Sequence, residues 1–287
     1  MSNQAIAIPG HFLNLPENRT AELDQRMKNA TIAKIVLVLS GLLLTACAGS
    51  IPAEKIGRSA SDPLYGEIQE GHITVPPVDP SFLQEPNRRT NVAYAGREAP
   101  GTIVVDPYAK FLYFVEAPGA AIRYPIAVGR EGRGFTGTAT IARKAEWPGW
   151  TPTANMVRRE PELYRPFAQG IPGGRASPLG ARALYLYRGG RDTFYRIHGT
   201  NDPATIGNQG SAGCIRMFNQ DVIDLYARVP IGSTVVVRTY EQSVAAEGIE
   251  MASRGEEITP KPVDAAEIYA FAAEEARRKA EYEASAQ

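Results

Sequence analysis

The sequence predicts a mainly β fold, a small mixed sheet or sandwich with one short helix and a long irregular insert. Three observations carry this. From Gly101 onward, short runs rich in β-branched and aromatic residues recur with turn residues between them. Residues 151–182 interrupt those runs without a regular period. Inside the same region a single amphipathic pattern of helical period follows Asn219.

The elements follow in order. Thr102–Asp106, Phe111–Val115 and Ile122–Val128 are strand candidates, and Asp106-Pro107-Tyr108-Ala109-Lys110 turns the first into the second. Thr138–Lys144 is a further strand. Trp147-Pro148-Gly149-Trp150-Thr151-Pro152 cannot be regular structure with two prolines so close. Its two tryptophans are core plugs or a platform for a ligand, and core suits at least one. In the insert, Met156–Tyr164 has room for one or two helical turns. A loop this long inside a compact domain is usually functional or disordered, and it is read here as a lid beside the active site. Ala183–Tyr187 and Thr193–Ile197 resume strands around Gly189-Gly190. Asn219 is a good N-cap for a helix over Gln220–Ala227, which Pro230 stops, and Thr234–Arg238 is the last strand. Residues 240–287 form a polar tail in which Asp264–Glu283 is an Ala/Glu/Arg helix, docked or solvated.

Ahead of the domain, residues 1–26 are polar and uninformative, and a signal that begins at Met27 suggests that the true start lies there. Residues 27–47 have the shape of an export signal: Lys28 and Lys34, an apolar run from Ile35 to Ala46, then small residues before Cys47. That run is short for a membrane span. Leu44-Thr45-Ala46-Cys47 resembles a bacterial lipobox, which makes Cys47 the lipidation site; a plain signal or an uncleaved anchor is the alternative. Residues 48–100 carry seven prolines and read as a semi-extended tether, with Tyr65, Ile68 and Phe82 as hints of local packing.

Charge is balanced, 31 basic against 31 acidic residues, which gives no argument for nucleic acid. His11, His72, His198, Cys47 and Cys214 alone offer soft ligands, which argues against a zinc site, and no cofactor is expected. If Cys47 is acylated, Cys214 is the sole remaining thiol.

The stretch Y-R-I-H-G-T-N-D-P-A-T-I-G-N-Q-G-S-A-G-C-I-R-M, from Tyr195 to Met217, delivers His198 from the end of a strand and Cys214 from the end of a loop. A thiolate is the nucleophile, and an imidazole can take its proton or pair with it as a cation. The small residues Ala212 and Gly213 let backbone N–H groups approach a carbonyl oxyanion. Arg216 can hold a substrate anion or brace the loop, and Ser211 is a second substrate-binding candidate.

H-G-T followed by G-S-A-G-C-I-R-M resembles the signature of the YkuD-type L,D-transpeptidases. R-K-A-E-W-P-G-W-T-P-T-A-N-M and I-P-G-G-R-A-S-P-L-G-A-R-A-L-Y-L resemble its ErfK/YbiS/YcfS/YnhG branch. The resemblance runs from about Gly101 to Arg238, which sets a catalytic domain at 101–239 with a YkuD-like β fold. It implies Cys214 as acylated nucleophile, His198 as base and acid, the carbonyl of Gly199 as third member, and N–H groups of Gly213 and Cys214 as oxyanion hole. Ala212 departs from members that carry a second histidine there. The implied activity is transfer of a peptidoglycan stem peptide, through a Cys214 thioester, to an amine. Water as acceptor would give a carboxypeptidase, and a protein amine would give lipoprotein attachment. An inactive wall-binding module is the non-enzymatic alternative. The implied setting is the cell envelope on the periplasmic side, lipid-anchored through Cys47, with the outer membrane favoured by Ala48.

Overall fold

The computed structural model describes residues 62–286 except 130, 131, 133, 211 and 212. Cys47, the signal-like stretch and Ser211 lie outside the described residues. Among the described residues no helix is long and apolar enough to cross a membrane.

Among the described residues twelve strands are present: β1 Ile68–Glu70, β2 Ile73–Val75, β3 Thr90–Ala93, β4 Ile103–Asp106, β5 Phe111–Ala117, β6 Ala120–Pro125, β7 Ala127–Val128, β8 Gly137–Glu146, β9 Arg182–Arg188, β10 Arg191–His198, β11 Ile215–Arg216 and β12 Thr234–Val237. β1 and β2 form a hairpin. The other ten form one sheet in the order β3-β6-β5-β4-β12-β8-β9-β10-β11-β7. β4/β12 and β10/β11 are parallel and the remaining pairs antiparallel, so the sheet is mixed as expected, though larger. β6 lies next to one edge and β7 is the opposite edge, yet only Ile126 separates them in the chain. The sheet therefore curls back on itself around a core.

That curl explains the apolar runs. In β4, Ile103 and Val105 face the main core while Val104 faces a second cluster. In β5, Leu112 and Phe114 face the main core while Phe111, Tyr113 and Val115 face the second. Strands covered on both faces read as continuous apolar runs rather than alternating ones. Between β9 and β10, Gly189 and Gly190 both take positive φ, +57° and +75°, which a two-residue turn matched to strand twist requires.

The helices are few: α1 Ala154–Arg159, α2 Pro161–Tyr164, α3 Asn219–Arg228, α4 Tyr240–Glu247, α5 Ile249–Ala252 and α6 Ala265–Ser285. α3 is the expected helix after Cys214, and its Val222 and Leu225 enter the main core. Its cap differs from expectation. Phe218 occupies the N-cap without a side-chain bond, and Asn219 is already helical with its amide committed elsewhere.

Residues 62–99, within the stretch expected to be a tether, are folded against the sheet. Tyr65, Val78 and Leu83 are buried with Ala127, Ile206 and Phe218, and β3 pairs with β6. Glu70 accepts from Trp147 Nε1 (2.9 Å) and from Arg182 Nη1 (2.9 Å) and Nη2 (2.5 Å). Pro63 and Pro80 open short 3-10 turns capped by Asp62 and Asp79, so these prolines fix turns rather than extend a linker. The tail is docked too: Ala272 of α6 packs with Phe167, Ile171 and Ala176 of the insert.

Asp106 ties the centre together. Fully buried, it accepts from Tyr108 N (3.1 Å), Ala109 N (2.8 Å), Ser243 Oγ (2.7 Å) and Arg238 Nη1 (3.1 Å). Arg238 also donates to Glu247 Oε1 at 2.8 Å. Removing one partner of a buried pair strands the other charge. Asp106→Ala is expected to lower unfolding free energy by about 3 kcal/mol in urea titrations; a loss below about 1 kcal/mol would show that the network contributes only as exposed pairs do.

Candidate active site

β10 and β11 run parallel, with Ile197 opposite Ile215 and His198 opposite Arg216. Ile197 and Ile215 point into the core and are essentially unexposed. By the period of two, Arg196, His198, Cys214 and Arg216 point to the other face. All four line one cavity of about 660 Å³. Tyr185, opposite Arg196 on β9, joins them.

His198 is 4 % exposed, and its Nδ1 lies 2.6 Å from the carbonyl oxygen of Gly199. That contact assigns the ring proton to Nδ1 and leaves Nε2 as the basic nitrogen. Burial, with Arg216 adding to it, pushes the imidazole pKa down to about 3. Cys214 is half-buried, and its Sγ donates to Phe194 O at 3.8 Å. Burial raises the thiol above its ordinary value, opposed by Arg196 and Arg216. Both shifts favour a neutral thiol beside a neutral imidazole. Of the two roles open to His198, the resting structure thus favours proton acceptor over preformed cation. The structure brings thiol and imidazole to one wall, with the thiol's hydrogen bond on Phe194.

Phe194 had no sequence signal as a site residue. The β9/β10 register shifts between Asp192 and Arg196, and Phe194 takes φ 63° at that bulge. Positive φ is strained for an aromatic residue, and bulges re-aim groups beside sites. Here the bulge turns the Phe194 ring outward, 71 % exposed, and its carbonyl toward Cys214. Asp192 Oδ1 accepts from Phe194 N at 2.8 Å, which fastens the bend. The same carboxylate holds Arg196 bidentately at 2.7 and 2.8 Å.

Arg216 Nη1 donates to Thr205 Oγ1 at 3.4 Å, and burial lowers its pKa. It both braces the loop and lines the cavity. A Cβ at Gly210 would sit 1.7 Å from Arg216 Nη2, so that glycine makes room for the guanidinium. Asn219 Oδ1 accepts from Ala181 N (3.0 Å) and Thr200 N (3.2 Å), and Nδ2 donates to Thr200 O (2.8 Å). It thus pins the chain just after His198-Gly199. A Cβ at Gly199 or Gly180 would lie 2.2 or 2.3 Å from that oxygen.

The insert roofs the cavity with Met156, Leu163, Tyr164 and Phe167. Of the two tryptophans, Trp147 packs on the main core and Trp150 lines the cavity. A second cavity, about 500 Å³, shares Thr153, Met156, Tyr164, Phe194 and Cys214 with the first and is also lined by Gly213. Among the described residues no cluster of His, Cys, Asp and Glu could hold a metal ion.

The neutral pair has a measurable consequence. Iodoacetamide should alkylate Cys214 along a pH profile whose midpoint lies above about 8.5, the value of an ordinary thiol. A midpoint below pH 7 would show a preformed thiolate–imidazolium pair.

A family model described as the YkuD L,D-transpeptidase catalytic domain matches residues 100–237. The probable L,D-transpeptidase YbiS of Escherichia coli strain K12 is 33% identical over 137 residues, 47% of this chain and 43% of that protein. The chain therefore spans less than half the length of this relative. A putative L,D-transpeptidase in the ATP synthase subunits region of Fuscovulum blasticum is 35% identical over 140 residues, 47% of this chain and 68% of that protein. A solved structure from Brucella melitensis, described as a probable carnitine operon oxidoreductase, is 50% identical, covers 55% of this chain and 98% of its own, and superposes with a TM-score of 0.38. The matched segment holds every strand from β4 to β12, and with it both His198 and Cys214: the chain belongs to the YkuD-type L,D-transpeptidase family.

Proposed function

We propose that the protein is a peptidoglycan L,D-transpeptidase working through a Cys214 thioester. The observation that carries this is the shared face of β10 and β11. His198, its Nδ1 committed to Gly199 O, offers Nε2 on the face that carries the Cys214 thiol. In the first step the thiol leaves the Phe194 carbonyl and passes its proton to His198 Nε2. Sγ adds to the carbonyl carbon that precedes a terminal D-residue. Backbone N–H groups of Gly213 and Cys214 take the oxyanion, as the resemblance implies. The C–N bond then breaks, His198 returns the proton to the leaving amine, and a thioester remains. An acceptor amine attacks the thioester, His198 receives its proton, and the thiol is regenerated.

A neutral histidine suits both halves, since it must accept a proton before it can donate one. Two cavities meeting at Cys214 support two substrates, one giving the acyl group and one the amine. Water in place of the amine turns the same site into a carboxypeptidase.

Mass spectrometry of muropeptides after incubation with the protein tests the reading. Cross-linked product with loss of one terminal residue is expected from the natural chain. None is expected from Cys214→Ala at unchanged circular dichroism. Trimmed but uncrosslinked peptide would assign the carboxypeptidase, and cross-links formed by Cys214→Ala would overturn the mechanism.

Location at the envelope rests on the sequence around Cys47. Each buried acyl CH₂ contributes about 0.8 kcal/mol, so a multiply acylated Cys47 would resist salt washing. Cys47→Ser should abolish palmitate labelling and detergent partitioning. An unlabelled natural chain whose Cys47→Ser variant still partitions with membranes would rule out lipidation.

A further inference from the structure

The segment after α5 is fastened to the loop that leads into Cys214. Gln209 N donates to Glu256 O (2.8 Å), and Ile258 N donates to Gln209 O (3.1 Å). Gly255 approaches so closely that a Cβ there would lie 2.6 Å from Gly207 O. Arg254 Nη2 donates to Lys110 O (3.1 Å) and its Nη1 to Asn87 Oδ1 (3.2 Å). A short way on, α6 starts at Ala265 and docks on the insert. Glu275, buried in α6, accepts from Arg175 N of the insert at 2.8 Å. Between these two anchors Pro260, Lys261 and Val263 line the Cys214 cavity.

The charges on that cavity's wall are unequal in their commitments. Arg196 is held bidentately by Asp192. Arg216 donates to Thr205 and is attracted to Asp202, the one acidic residue among the described residues lining this cavity. Lys261 is exposed and has neither an ion pair nor a hydrogen bond among the described contacts. An uncommitted ammonium on a wall otherwise rich in apolar and cationic groups attracts an anion, with the modest strength that an exposed pair supplies.

We propose that Lys261 is an anion-binding residue of this cavity, which takes a free carboxylate of the bound peptide. The C-terminal strap from Ile258 to Asp264 then sets substrate choice from outside the matched catalytic domain. The proposal rests on the reading of the cavity as a site for a peptide acyl donor, and peptides of cell-wall stems carry such carboxylates. Lys261 acts in binding; the reacting atoms are handled by Cys214 and His198.

The test separates binding from turnover. Calorimetry on the full chain carrying Cys214→Ala would compare stem tetrapeptides with each carboxylate free or amidated. The free acid should bind more tightly than one of the amides. Adding Lys261→Ala should weaken the acid about fivefold while leaving that amide unchanged, a difference of the size that a partly exposed ion pair supplies. Lys261→Arg should restore most of the loss, and higher salt should shrink the difference. Equal weakening of acid and amide, or no weakening, would overturn the proposal, as would a natural Lys261 site indifferent to amidation. In the Cys214-containing chain, Lys261→Ala should raise KM and leave kcat and the iodoacetamide rate unchanged. Peptide binding without any turnover in the natural chain would defeat the transpeptidase reading and leave the Lys261 result standing.

Discussion

The register between β10 and β11 is the constraint on which the site depends. Ile197 faces Ile215 in the core, and that pairing fixes the faces of their neighbours. A slip of β11 by one residue against β10 would turn Cys214 into the core and Ile215 toward the cavity, away from His198. Burying two apolar side chains thus orients the imidazole and the thiol. The same sheet brings Arg196 and Tyr185 alongside through the β9 pairing.

Around this register, close approach does the positioning. Asn219 sits at the start of α3 and holds the chain on both sides of a gap, Ala181 on one side and Thr200 on the other. The approach needs hydrogen in place of Cβ at Gly180 and Gly199. Gly199 then presents its carbonyl to His198 Nδ1. Glycine at these positions is therefore a requirement of geometry. The bulge at Phe194 is the complementary device: it uses backbone strain to aim a carbonyl at the thiol, and the residue lines both cavities.

The cavity is completed by elements outside the strands. The insert supplies an apolar roof, and α6 buries the insert's own small cluster through Ala272, with Ile268 and Tyr269 packed against it. Residues 62–99 brace the opposite side, where Glu70 holds Arg182 at the start of β9 and Trp147 just after β8. The C-terminal flank thus adds Pro260, Lys261 and Val263 to the cavity wall, while residues 62–99 support β9 without lining it.

Read alone, the chain misses the strands within 62–99, but it shows most strands between Gly101 and Arg238, the turns at Asp106–Lys110 and Gly189-Gly190, and the helix after Cys214, and it singles out Cys214 and His198 as candidates. Those are local matters: β-branched runs, Gly-Gly and Asp-Pro turns, and small residues before a lone cysteine act within a few residues of themselves. The rest depends on contacts between segments far apart in the chain. The prolines of 62–99 read as a tether because Tyr65, Val78 and Leu83 are sparse along the chain, and their partners Ile206 and Phe218 lie far off in sequence. Asn219 has the chemistry of a cap, yet its nearest orphan donors belong to Ala181 and Thr200, which no local pattern reveals. Phe194 and Lys261 became visible as cavity residues for the same reason. A bulge exists only against a partner strand, and a wall exists only where distant segments meet.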